Sequence, residues 1–414
     1  MLIKNKSYRN ILTLITGSTI AQAIPIAVSP ILTRLYTPED FGVLALFTSL
    51  VTIISVISTG RYEFAIMLPK KHSEAANIVI LSTFIVCIIS IITFIVILLF
   101  HHKIIEIINS PKIGLWLYFV PLAIFLSGVF NILNYYNTRL QKYKDLSISN
   151  INKSVVLIAS QLFISILKKG EAGLILGNIL SLTAANFKLI KNTTNTIKNN
   201  EITLLKIKAL AKRYIKFPKY SIWTALSNTA AYNINNITIS LLFNSSTLGL
   251  YAISQKILGA PIDLLSSSIS QVYFQQASLA IKDKKNCYKL FINTLKKLVI
   301  IGLPIFSLIY LFSPYLFGFF FGESWVIAGH YTAILTPFFY VRFIYTSLST
   351  TVLITEKQEI GLLCNIGLLV IILSILLISY VFNLRFENFL YLFSSINFVY
   401  YCLLIIILSR LTKK

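Results

Sequence analysis

The chain has 414 residues, of which 56% are hydrophobic and 12% charged, with 37 Lys and Arg against 14 Asp and Glu. Soluble domains run at about 45–50% apolar and 25% charged, and a mean hydropathy of +0.78 leaves more apolar surface than a soluble fold can hide. The net charge of +23 recurs between apolar runs instead of gathering on one module, and no nucleic-acid-binding motif is present, so the partner it implies is a membrane surface and not a nucleic acid.

Twelve apolar stretches are each long enough to cross a bilayer: roughly 11–33, 41–60, 76–100, 113–138, 147–167, 171–190, 220–243, 248–275, 291–313, 326–354, 360–382 and 388–409. The first opens like a signal peptide, with Lys4, Lys6, Arg9 and Ala21-Gln22-Ala23. Its apolar run continues to Leu32, and its removal would leave an odd helix count, so a retained helix is expected. With a cytoplasmic N-terminus, about 29 of the 37 basic residues fall in cytoplasmic tails, loops or helix ends. The outward ones are Arg34, Lys103, Lys112, Lys168, Lys169 and Arg385, and Lys256 and Arg342 remain inside spans. This asymmetry supports helix count and orientation together, with both termini cytoplasmic.

Arg61 and Glu63 follow the second span and are expected either at a cytoplasmic mouth of the cavity or as an ordinary interfacial pair. His101-His102, in a short outer loop, reads as solvated and not metal-bound. The fourth span carries Asn131, Asn134, Tyr135 and Thr138 on one face, and the seventh carries Asn228, Tyr232, Asn235 and Asn236. The eighth adds Ser266, Ser267, Ser270 and Gln271. Such amides, hydroxyls and tyrosines suit sugar hydroxyls, and equally hold helices to one another. Lys256 lies about 12 Å into the eighth span and Asp263 about 10 Å further, on the same face; Arg342 lies near the middle of the tenth. An isolated charge facing lipid costs at least about 2.5–3.5 kcal/mol, so these three face a protein interior or wet cavity. They form either a cationic lining for an anionic substrate or an internal ion pair of Arg342 with Asp263. Prolines 25, 30, 121, 261, 304 and 337 fall inside spans, where they would bend or loosen helices.

One connection is long. Residues 188–219 hold nine lysines and arginines, and 201–217 alternate apolar and basic positions, which allows either an amphipathic helix on the cytoplasmic surface or a solvated linker. It separates six helices (1–190) from six (220–414), with 191–219 as the basic linker. Phe41-Gly42-Val43-Leu44-Ala45 opens the second span and Leu248-Gly249-Leu250-Tyr251-Ala252 the eighth, 207 positions later. Repeats six helices apart share one orientation and suit a transporter that rocks two bundles about a cleft.

No P-loop, HExxH or GxSxG pattern occurs, the four cysteines show no CxxC spacing, and no outward loop exceeds about a dozen residues. The sequence thus offers no catalytic, nucleotide, metal or cofactor site.

At Leu32-Thr33-Arg34-Leu35-Tyr36-Thr37-Pro38-Glu39-Asp40-Phe41-Gly42, at Arg61-Tyr62-Glu63-Phe64-Ala65-Ile66-Met67-Leu68-Pro69, and from Leu248 through Phe274, the chain resembles the Wzx-type oligosaccharide flippases. These form part of the polysaccharide transport branch of the multidrug/oligosaccharidyl-lipid/polysaccharide exporter superfamily. Gly60 departs from the bulky apolar residue expected before Arg61, and the likeness is weaker in the last four spans. The resemblance implies an all-α, twelve-helix, two-bundle, MATE-like protein of the bacterial inner membrane. It would turn undecaprenyl-diphosphate-linked repeat units from the cytoplasmic to the periplasmic leaflet for O-antigen or capsule assembly. Its partners would be the lipid-linked oligosaccharide and membrane lipids, with a polysaccharide polymerase and chain-length regulator beside it. Lys256, Arg342 and Arg61 are the diphosphate candidates, and Asp263 or Glu63 the coupling-ion candidates. The rival readings are a multidrug or organic-cation antiporter of the same superfamily and a membrane polysaccharide polymerase.

Overall fold

The computed structural model describes residues 6–167, 170–197, 202–282, 287–355 and 357–413, and no β-strand occurs among them. Twelve helices of twenty residues or more carry the fold. They are α1 (Lys6–Ala27), α2 (Pro38–Ser58), α3 (His72–Ile108), α4 (Val120–Arg139), α5 (Tyr143–Leu167), α6 (Ala172–Ile197), α7 (Ile222–Leu242), α8 (Ser245–Lys282), α9 (Cys287–Phe321), α10 (Val326–Leu348), α11 (Gln358–Val381) and α12 (Phe386–Leu411). Each coincides with one predicted span. Seven of them, α2, α3, α5, α6, α9, α11 and α12, are long and apolar enough by themselves to cross a bilayer, and Pro111–Leu117 with α4 forms a bent pair of 56° that makes an eighth. Of the others, α7, α8 and α10 hold the polar stripes and charges singled out above. The chain is an integral membrane protein.

Helix ends follow from local chemistry. Tyr36-Thr37-Pro38-Glu39-Asp40 is a capping box: the Thr37 hydroxyl accepts from the Asp40 amide, the Asp40 carboxylate accepts from the Thr37 amide at 2.9 Å, and Pro38 stands in the first turn. Two prolines expected inside spans sit at helix starts instead. Pro30 lies in the first turn of the short Ser29–Leu35 helix and Pro121 in that of α4, where a missing N–H costs nothing. Pro25, Pro261, Pro304 and Pro337 are interior to their helices.

Packing divides the chain into two compact units, up to Ser246 and from Thr247. The repeat assigns α7 to the second half, yet this helix packs on the first unit: Asn236 donates to the Ser49 hydroxyl of α2 at 2.9 Å, and Ser240 to the Ile108 carbonyl of α3 at 3.4 Å. In the first unit, Tyr62, Ala65, Ile66, Ile78, Val86 and Tyr136 bury one core cluster. In the second, aromatic rings of α10 and α12 interlock, with Phe338 at 5.8 Å from Phe393 and 5.6 Å from Tyr401. The starts of α2 and α8, at 38 and 245, keep the offset of 207.

Part of the basic linker is a helix, Leu204–Arg213, whose Thr203 side chain caps its first turn. Its apolar side is turned to protein: Leu210 joins the core cluster and Tyr62 donates to the Ala211 carbonyl at 2.9 Å. Arg213 lies 3.6 Å from Glu74 at the start of α3. Residues 198–201 of the linker lie outside the described residues.

Candidate functional site

Between α2 and α3 the backbone turns through Gly60 and Arg61, each at φ +60°. A Cβ at position 60 would meet the Tyr62 ring at 3.2 Å and Ile85 at 3.3 Å, so glycine here answers to both conformation and space. Arg61, a non-glycine in the left-handed region, is held from two sides. Its guanidinium is 3.5 Å from Glu63 and 4.4 Å over the Phe64 ring. Glu63 is 3% exposed and accepts from the Thr59 hydroxyl. Burial pushes its carboxyl above the usual range, outweighing the opposite pull of Thr59 and Arg61. Phe64 lies 4.9 Å from Tyr135 of α4 and stacks at 6.4 Å on Phe217. Tyr135, far from Arg61 and Glu63 in sequence, therefore joins them in one cluster around the buried Glu63.

A residue that sequence reasoning passed over holds this cluster in place. Arg139, at the end of α4, donates to the carbonyls of Ile66 (3.1 Å), Met67 (3.2 Å) and Pro69 (2.6 Å). The guanidinium fork thus satisfies backbone acceptors that the tight segment leaves without partners.

The polar stripes divide between roles. Asn131 and Asn134 are half-buried on the Tyr135 helix, and their amides bond to no described residue. Asn235 is buried with its Oδ1 unpartnered among the described residues, while Asn236 is a helix-to-helix bond. The side chains of Asn228 and Tyr232 lie outside the described residues.

In the second unit, Lys256 lies about 16 Å along α8 from Ser245. It is half-buried, and no carboxylate or hydrogen-bond acceptor among the described residues engages it. For Arg342 the sequence left two settings open, a cavity lining or an ion pair with Asp263. The arginine lies about 24 Å along α10, beyond mid-span, and its Nη2 stands 3.7 Å from Asp263 Oδ1. The Arg342 side chain is 17% exposed and that of Asp263 60%. The internal ion pair is the arrangement found, with Phe339 beneath the guanidinium at 5.3 Å. Solvent at the carboxylate keeps this pair weak. Ser270 bonds Thr350 at 3.4 Å and Ser266 accepts from Thr346 at 2.9 Å, tying α8 to α10 and the segment after it, while Gln271 is exposed.

The first unit holds a further intramembrane cation. Lys153 is half-buried about 15 Å into α5, with Nζ 5.0 Å from the centroid of Phe130 on α4. Its position six residues inside the apolar run 147–167 was the available signal, hidden by counting it with the helix end.

On the opposite end of the first unit three acids are occupied. Lys112 reaches Glu39 at 2.6 Å, which raises the ammonium's pKa, and Trp116 donates to Glu171 at 3.1 Å. Asp40 closes the capping box. His101 is bonded to the Gly114 carbonyl at 3.0 Å and stacked on Tyr118 at 4.7 Å.

Helices in this order match the fold of several solved membrane transporters. A lipid II flippase, MurJ, in an inward closed conformation superposes with a TM-score of 0.72 at 14% identity, over 96% of this chain and 86% of that one. A multidrug resistance MATE family transporter of the MOP superfamily, in an inward-facing conformation, gives 0.60 at 14% identity over 97% and 96%. A MOP superfamily transporter from Pyrococcus furiosus, described as having reverse polarity of its binding pocket, gives 0.52 at 15% over 100% and 98%. No curated protein sequence matches the chain. The profile of the polysaccharide biosynthesis protein family matches residues 31–328, and the chain belongs to that family.

Proposed function

We propose that this protein is a flippase that carries diphosphate-linked oligosaccharide repeat units on a polyprenyl lipid, of the undecaprenyl kind, from the cytoplasmic to the periplasmic leaflet. It works by alternating access and supplies O-antigen or capsule assembly. The observation that carries the reading is Lys256, a cation inside the eighth span with no carboxylate beside it among the described residues. A diphosphate crossing a low-dielectric region needs such a charge, and holding one there without a ligand costs several kcal/mol. Lys153, tempered only by an aromatic face, is the corresponding cation of the first unit. Arg61 is a weaker third candidate, because Glu63 and Phe64 already engage it. Arg342 serves chiefly to bind α10 to α8. Asn131, Asn134, Tyr135, Asn228, Tyr232, Asn235, Ser270 and Gln271 are the residues suited to the glycan. Glu63, buried beside a hydroxyl, is a better proton acceptor for coupling than Asp263, which is largely exposed.

An organic-cation antiporter needs unpaired acids at membrane depth, and Asp263 is committed to Arg342. A polymerase needs catalytic carboxylates in sizeable outer loops; no outward loop exceeds about a dozen residues, and of the outer acids Glu39, Asp40 and Glu171 are bound into structure. These facts favour transport without covalent chemistry. The inner membrane, cytoplasmic termini and nearby polymerase and chain-length regulator belong to the same proposal. The test is a flipping assay in liposomes with defined lipid-linked glycans, with and without an ion gradient. Glycan reaching the far leaflet supports the reading; glycan that stays while an organic cation is exported overturns it.

A further inference from the structure

The second unit contains a groove that the flippase reading leaves unused. It runs between α9, α10 and α12 and encloses about 570 Å³, within the range of small-ligand sites. One end is polar: His330, Glu387 and Tyr391 stand in the first two turns of α10 and α12. Deeper in, the walls are apolar, with Ile334, Pro337 and Val399. His330 is about 6 Å and Pro337 about 17 Å along α10, so the groove passes from the helix ends to mid-membrane depth.

The charge of the lining narrows the occupant. Although the chain holds 37 Lys and Arg against 14 acids, the described residues of the lining include no Lys or Arg and one carboxylate, Glu387. The Glu387 carboxylate forms no ion pair with a described residue. An anionic headgroup finds no cation there, whereas an ammonium finds a carboxylate, with the His330 ring beside it for a phosphate and an apolar trough for a chain.

We propose that this groove is a phospholipid site selective for a primary-amine headgroup, separate from the path of the transported glycolipid. The ammonium lies against Glu387, the phosphate against His330, and one acyl chain along Ile334, Pro337 and Val399.

The test uses full-length protein in detergent with phosphatidylethanolamine, phosphatidylcholine or phosphatidylglycerol added in equal amounts. Bound lipid is counted by native mass spectrometry and thermal unfolding is followed in parallel. Phosphatidylethanolamine is retained preferentially and raises the melting temperature; phosphatidylcholine, with no N–H to donate, and phosphatidylglycerol do neither. Glu387→Gln lowers phosphatidylethanolamine retention about tenfold, as expected for losing one charged hydrogen bond, while its lipid-free melting stays unchanged. Val399→Trp, which fills the apolar end, also loses the lipid. Equal retention of the three lipids, or retention by Glu387→Gln equal to the parent's, means nonspecific annular lipid and overturns the proposal. Because retention is read without transport, a failed flipping assay leaves this result standing by itself.

Discussion

Lys256 and Arg342 look alike in sequence, each a single cation in an apolar run, but their surroundings separate them. Lys256→Ala is expected to lower flipping in liposomes by at least about tenfold, with Lys256→Arg retaining part of it, since the charge and not the head shape is required. Lys153→Ala should behave likewise. By contrast, a double-mutant cycle on Arg342 and Asp263, read by thermal unfolding, should give a coupling below about 1 kcal/mol, because the carboxylate is mostly solvated. A coupling several-fold larger would mean that the pair is held dry. Glu63 carries a pH signature of definite sign. Its folded pKa is raised, so the protonated carboxyl contributes stability at low pH that is lost as pH rises through the folded value. The melting temperature of the parent, measured against Glu63→Gln from pH 5 to pH 8, should therefore fall with rising pH; a difference that rises instead removes the assignment.

At the scale of elements, the segment between α2 and α3 is the most constrained connection in the first unit. Its two left-handed residues, buried acid and short helix Phe64–Met67 are held by the fork of Arg139 and by Tyr62 against the linker helix. Arg139→Lys keeps the charge but loses the fork, and should cost about 2 kcal/mol in thermal unfolding. The α9–α10 contact depends on a close approach of backbones: a Cβ at Gly329 would fall 2.6 Å from Pro314 Cα and 2.7 Å from the Ser313 carbonyl oxygen. Gly329→Ala is expected to cost about 1–3 kcal/mol, because backbone atoms cannot step aside as a flexible side chain can. The linker helix shows how an amphipathic pattern is spent: Leu210 is buried on protein while Leu205 remains 82% exposed among Lys208, Lys212 and Arg213. The alternation of apolar and basic residues was legible; which surface the apolar side would meet was not.

For the whole molecule, the predicted orientation is open to direct measurement. A cysteine at Lys112 should react with an impermeant thiol reagent added outside spheroplasts, and one at Lys208 only after lysis. The reverse pattern would invert the topology. Twelve helices, their order, the basic linker and the repeat offset could be read from hydropathy and charge, because a bilayer demands about 20 apolar residues per crossing and penalises each misplaced charge. Neither signal specifies which helix touches which. Hence the placement of α7 against α2, the meeting of Tyr135 with Arg61 and Glu63, and the Arg139 clamp had no one-dimensional trace, and the Arg342–Asp263 ion pair was one of two arrangements the sequence left open. Periodicity names the face of a helix, and only packing in three dimensions decides what that face meets.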